Sequence, residues 1–311
     1  MKTFQILLFL FSLLFFQEAK ADPDYHFVGW ANLFVPGLGE TLLGHPIEGA
    51  FEMGYEVSTF WVGYRLTEGS LFSLDGFASP NPTSRARAGV ELSLEQKMYG
   101  QILQEFGIKA HMINTFAAYQ DAAKLQGELP SDMEHLSPDD LFMEPFNTKN
   151  LNDEWVSIPL GIVFASVVAD YISQTGSGSL GTQTKLNPAS NALYALNFGL
   201  WQPMGSGAPE EMFYRGFLQR EFKHATGSAA VSVALTSTLF AFSHEPGAGR
   251  NSAAIAGLYL GYLAERYGGK LGPGITLHFW SEILLGLETI LLNAKGQRNA
   301  PPASLSVQVN L

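Results

Sequence analysis

The stretch Pro209-Glu210-Glu211-Met212-Phe213-Tyr214-Arg215-Gly216-Phe217 decides how the chain is read. It places two adjacent carboxylates in a helical pattern, with an arginine one turn later. Pro209 suits a first helical position, where a missing N–H costs nothing, so the spacing predicts a helix starting there, capped by Ser206 or Gly207. Neighbouring residues on a helix stand about 100° apart, so the two glutamates face different ways. Glu211 and Arg215 stand at i, i+4 with the acid first, the favourable order for an ion pair. Glu210 is left on another face, toward Phe213, Tyr214 and Phe217.

Acidic residues in a first turn also complement the helix dipole with no further role. Two later stretches give the glutamates a different meaning. Phe240-Ala241-Phe242-Ser243-His244 closes a nearly charge-free run, and Leu277-His278-Phe279-Trp280-Ser281-Glu282 lies inside another. Ionisable groups at membrane depth are costly, which makes each a functional candidate.

Composition fits a membrane chain with a polar insert. Only 15% of the 311 residues are charged and 46% are hydrophobic, 23 of them Phe, while mean hydropathy is a modest +0.07. A net charge of −11 provides no basic footprint for nucleic acid, so no nucleic-acid partner is expected. The absence of cysteine removes disulfides, thiolate nucleophiles and Cys-ligated zinc.

Four regions follow along the chain. Residues 1–21 have the parts of a signal peptide: Lys2, the apolar run Phe4 to Phe16, then Ala19-Lys20-Ala21. That run is shorter than the ~20 residues a spanning helix needs, so cleavage after Ala21 is expected, an uncleaved anchor being the alternative. Residues 22–66 form membrane-associated segments broken at Pro36-Gly37-Leu38-Gly39-Glu40, with Glu48, Glu52 and Glu56 as an acidic stripe facing the interface or the bundle. Residues 67–150 read as an extramembrane helical insert with a solvated charged face and no catalytic grouping. Its helical stretch 91–126 carries Leu94, Met98, Ile102, Phe106 and Ile113 on one side. Residues 151–311 return to membrane character, with motifs at 210–215, 240–244 and 278–282. The small-xxx-small spacing of Gly257 and Gly261 marks close helix packing.

Several chemistries are excluded. His244-Glu245 opens like a zinc-protease helix, but Pro246 intervenes and position 248 is Ala. There is no Gly-x-Ser-x-Gly elbow and no phosphate-binding glycine loop.

Glu210-Glu211-x-x-x-Arg215, Phe240-x-x-x-His244 and His278 in a following apolar helix resemble the CAAX-protease and bacteriocin-processing (CPBP, or Abi) family of intramembrane endopeptidases. The run Gly257 to Gly269 before Leu277-His278-Phe279-Trp280 is similar as well, and the likeness spans about Gly205 to Leu292. The resemblance implies an all-α polytopic transmembrane bundle with its site below the membrane surface. It implies Glu210 as general base with His244 as partner, and His278 as a stabiliser of the oxyanion. Glu211, Arg215 and Glu282 support them. The family often has Asn where this chain has Glu282, and an ionised carboxylate cannot donate a hydrogen bond. Glu210, His244 and His278 would also be the ligands of a divalent metal such as zinc, were the enzyme a metalloprotease; the resemblance leaves both forms open.

The expected function is therefore a membrane endopeptidase that hydrolyses a membrane-associated protein or peptide with glutamate/histidine-activated water. The expected partners are the lipid bilayer and that substrate, and the expected location is a bacterial inner membrane. The alternative is a non-catalytic membrane scaffold or immunity-type binding protein, favoured by Glu282.

Overall fold

A computed structural model describes residues 24–68, 94–128, 137–176, 188–244 and 246–294. The signal peptide expected at 1–21, the loop around Ser79 to Ser84 and most of the Ser173–Thr184 linker lie outside them. The described residues form a helical bundle, with no strand among them. In chain order the helices are α1 (Tyr25–Phe34), α2 (Leu38–Leu42), α3 (Pro46–Glu68), α4 (Leu94–Leu125), α5 (Pro138–Met143), α6 (Thr148–Leu151), α7 (Glu154–Gly176), α8 (Pro188–Leu196), α9 (Gln202–Glu211), α10 (Gln219–Thr226), α11 (Ala229–Phe242), α12 (Ala248–Arg266) and α13 (Gly272–Ala294).

Helices α8, α9 and α10 form one continuous rod, joined by two wide π turns, Asn197–Trp201 and Met212–Leu218. The Glu-Glu motif therefore does not open a helix: Pro209 lies inside α9, which corrects the expected start and its Ser206/Gly207 cap. A helical proline removes one N–H and crowds the carbonyl four residues back. Pro203 comes just after the first π turn and Pro209 just before the second, and the rod runs on through both. Wide turns of this kind recur at functional sites, and the second one carries Met212 to Leu218 directly after the glutamates.

A third proline, Pro159, sits inside α7 and deprives the Trp155 carbonyl of its helical donor. Tyr259 of α12 supplies a replacement, its hydroxyl donating to Trp155 O at 2.8 Å. Gly257 and Gly261 pack α12 against α11 as the spacing predicts. A Cβ on Gly257 would meet Ser237 and Phe240 at 3.2 Å, and one on Gly261 would meet Val233 at 3.0 Å.

The main core gathers Phe116 and Tyr119 of α4, Met212 and Phe217 of the second π turn, Phe240 of α11 and Ile275 of α13. Helix α4 is thus a central element. The stripe through Phe106 is only partly covered: Met98 is buried and Ile113 packs against the core, while Phe106 is exposed. The buried side instead runs through Lys109, Met112, Phe116 and Tyr119. The acidic stripe of α3 faces the bundle at its far end, where Glu56 accepts from Asn114 Nδ2 at 2.6 Å and pairs with His111 Nδ1 at 2.8 Å. The acidic stretch before α7 folds onto the start of α13: Thr276 Oγ1 donates to Glu144 O at 2.8 Å and Trp280 Nε1 to Pro145 O at 2.8 Å.

Two helices among the described residues are long and apolar enough to cross a membrane, over Glu154–Thr175 and Gly272–Leu292. The first presents Ile158, Ile162, Phe164, Val168 and Ile172 outward, as a lipid-facing helix does. The second is half-buried in the bundle and carries His278 and Glu282 inward. Helix α10 is tied to the end of α12: Arg220 Nη2 donates to Gly269 O at 3.0 Å, and Lys223 pairs with Glu265 at 2.6 Å.

Candidate active site

All six residues singled out from the sequence, Glu210, Glu211, Arg215, His244, His278 and Glu282, are buried. Glu211 is the structural glutamate. Its Oε1 accepts from Arg215 Nη1 at 2.8 Å and from His278 Nδ1 at 3.0 Å. Arg215 also donates through Nη2 to Gly257 O at 3.0 Å and lies over the Phe240 ring at 4.7 Å. One turn on, Gln219 Nε2 repeats the pattern on Gly261 O at 3.1 Å. The closely packed glycines of α12 thus offer bare carbonyls to the motif helix, and the ion pair ties three helices together.

Phe240 forms the floor. Its ring centroid is 4.6 Å from that of His244 and 5.9 Å from that of His278. At the end of α11 the Phe240 carbonyl lacks a helical partner and takes His244 Nδ1 at 2.6 Å instead. A carbonyl only accepts, so Nδ1 carries the proton, and Nε2 is an imidazole lone pair or, in the imidazolium, a second donor. His278 is fixed in the same way by Glu211 at Nδ1, which turns its Nε2 toward Glu210 Oε2 at 3.8 Å.

Five buried atoms of these residues have no hydrogen-bond partner: Glu210 Oε2, Arg215 Nε, His244 Nε2, His278 Nε2 and Glu282 Oε1. Buried polar atoms are almost always satisfied. Each of these belongs to a residue that the sequence motifs singled out, and His244, His278 and Glu282 all lie within electrostatic reach of Glu210.

Two site residues were missed. Lys109 of α4 contacts Glu210 Oε1, and Glu105, one turn earlier, accepts from Gln202 Nε2 at 3.0 and 3.2 Å. The expectation that charges in residues 67–150 form a solvated face fails at Lys109, which is buried. The available signal was a lone lysine between Ile108 and Ala110 in a largely apolar stretch of helix.

The donor types of Glu210, His244 and His278 suit a divalent metal, but their arrangement does not. Zinc ligands must come within about 2 Å of one ion. Among the described residues the His/Asp/Glu ligand atoms that gather within 4.8 Å of one another are those of Glu40, His45 and Glu48 instead. A lysine ammonium already lies on Glu210. The residues present do not fit a resident metal in this arrangement.

A buried carboxylate and two oriented imidazoles therefore lie together inside the helical bundle. Residues 189–284 match the family model described as Type II CAAX prenyl endopeptidase Rce1-like, a match consistent with the CPBP family that covers less than half of the chain. At family level it implies a CAAX-type intramembrane protease, and with the two apolar helices it points to an integral membrane protein. Comparison with curated proteins and with solved structures gave no match.

Proposed function

We propose that the protein is a metal-free membrane endopeptidase in which Glu210 activates a water against the peptide carbonyl. The observation that carries this reading is the cluster of unpartnered buried atoms on Glu210, His244 and His278. A water between Glu210 Oε2 and His244 Nε2 would satisfy both and be held for attack. Glu210 takes the water proton and later delivers it to the leaving amine. His278, as imidazolium, would donate from Nε2 to the oxyanion, while Glu211 and Arg215 hold that ring in place. An ionised Glu282 can only accept a hydrogen bond, so it is assigned no oxyanion role. The substrate is a protein or peptide at the membrane, and the expected setting is a bacterial inner membrane reached through the signal peptide at 1–21.

The test is cleavage of a diverse peptide pool by detergent-purified protein, read by mass spectrometry. Wild type should give discrete cuts that His244→Ala loses, with or without EDTA. The non-catalytic scaffold is the second reading, favoured by the lysine seated on Glu210 and by Glu282. No cuts by wild type, with cuts appearing in Glu282→Asn, would establish it.

A further inference from the structure

Lys109 has no part in the chemistry above. It reaches the site from α4, contacts Glu210 Oε1 and also lines a cavity of about 490 Å³ between α3, α4 and the α9 rod. That cavity is walled mainly by apolar side chains, among them Phe106, Ile113, Leu200, Trp201 and Met204. Its acidic residue, Glu105, is already engaged by Gln202. Lys109 is therefore the cation that the cavity and Glu210 share.

We propose, resting on the hydrolase reading, that Lys109 is a catalytic residue: the cavity receives an extended apolar peptide, and the Lys109 ammonium moves from Glu210 onto the carbonyl oxygen of the scissile bond. The contact with Glu210 and the place of Lys109 in the cavity wall carry this, and three chemical points agree with it. An ammonium has three donors, and the contact with Glu210 uses one. Its neighbour Glu282 cannot stabilise an oxyanion while ionised. Moving the ammonium also frees Glu210 Oε1, so that substrate arrival exposes the base.

The step balances without a further reactant. Water oxygen bonds to the carbonyl carbon as its proton passes to Glu210, and the carbonyl π pair becomes the oxyanion held by Lys109 and His278. The oxyanion pair then returns, the C–N bond breaks and Glu210 protonates the amine. The products are a carboxylic acid and an amine, and the remaining water proton passes from the acid to the amine to give carboxylate and ammonium.

The test uses Lys109→Met and two apolar pseudopeptides of equal length, one with an anionic phosphinate at the scissile position and one with a neutral hydroxyethylene. Lys109→Met should lose ~10²–10³-fold in kcat with KM nearly unchanged. It should lose phosphinate affinity in parallel while keeping hydroxyethylene affinity. Lys109→Arg should recover part of both losses. If the methionine variant fails to fold, Lys109→Gln, which keeps a neutral donor, is read in the same way. Equal losses for both pseudopeptides, or no difference from wild type for either, overturn the proposal. Inactive Glu210→Gln beside fully active Lys109→Met would sink the lysine's role alone. Cleavage by Glu210→Gln at the wild-type rate would sink the hydrolase reading itself. Should wild type cleave nothing in the pool, the pseudopeptide pair still decides.

Discussion

Glu210 and Lys109 meet across 101 positions of chain, the lysine from the middle of α4 and the glutamate from the end of α9. Their contact joins the motif helix to a helix that no motif marks. It leaves one oxygen of Glu210 occupied and the other facing His278.

The Glu211–Arg215 pair is buried and shared with His278 and the Gly257 carbonyl. Removing one partner of such a pair costs about 3–5 kcal/mol, because the other charge stays buried alone. Arg215→Ala should lower the detergent melting temperature sharply and abolish activity along with folding. Arg215→Lys should lose less, since it keeps the charge but not the forked contact. An unchanged melting temperature for Arg215→Ala would contradict the assignment of Glu211 to structure.

Gly286 of α13 faces the first π turn, where a Cβ would come within 1.9 Å of Phe198 O. Backbone cannot yield as a side chain can, so Gly286→Ala should destabilise by about 1–3 kcal/mol or more. Gly161 in the lipid-facing α7 has nothing within 4 Å of the same position. Gly161→Ala should be neutral or mildly stabilising. Thermal unfolding of the two variants side by side checks both.

Tyr259 and Pro159 are coupled through the Trp155 carbonyl. Tyr259→Phe should cost about 1 kcal/mol by leaving that carbonyl without a donor. In a Pro159→Ala background the restored N–H takes over, and the same change should cost markedly less. A double-mutant cycle on melting temperature measures the coupling. Additive effects would reject the compensation.

Metal removal should leave the rate unchanged, because the positive charge beside Glu210 is a lysine. EDTA at millimolar concentration should not slow cleavage, and added zinc should not speed it. Loss of activity with EDTA, restored by zinc, would return Glu210, His244 and His278 to the role of ligands.

The motif residues were legible because each departs from its surroundings: a glutamate pair, two histidines and Glu282 in stretches that otherwise lack charge. The i, i+4 rule was enough to separate Glu211 from Glu210, and their geometry agrees. Pro209 misled because a proline also occurs inside a helix, and here it lies just before the second π turn in a rod that runs on to Thr226. Lys109 and Glu105 were hidden for another reason. Their helix carries charges along its length, and the apolar neighbours that mark Lys109 do not show that it turns toward the α9 rod. The compensation at Pro159 involves a tyrosine a hundred residues away, and no pattern along the chain could have paired them.

The most direct test of the account is the initial rate of peptide cleavage by Glu210→Gln relative to wild type, with the melting temperature of each measured in the same detergent. The substitution keeps the shape of the side chain and removes its ability to take a proton. The account predicts a rate at least ~10²-fold lower, the scale of general-base catalysis, from a protein that remains folded. A folded Glu210→Gln that cleaves at the wild-type rate would contradict it.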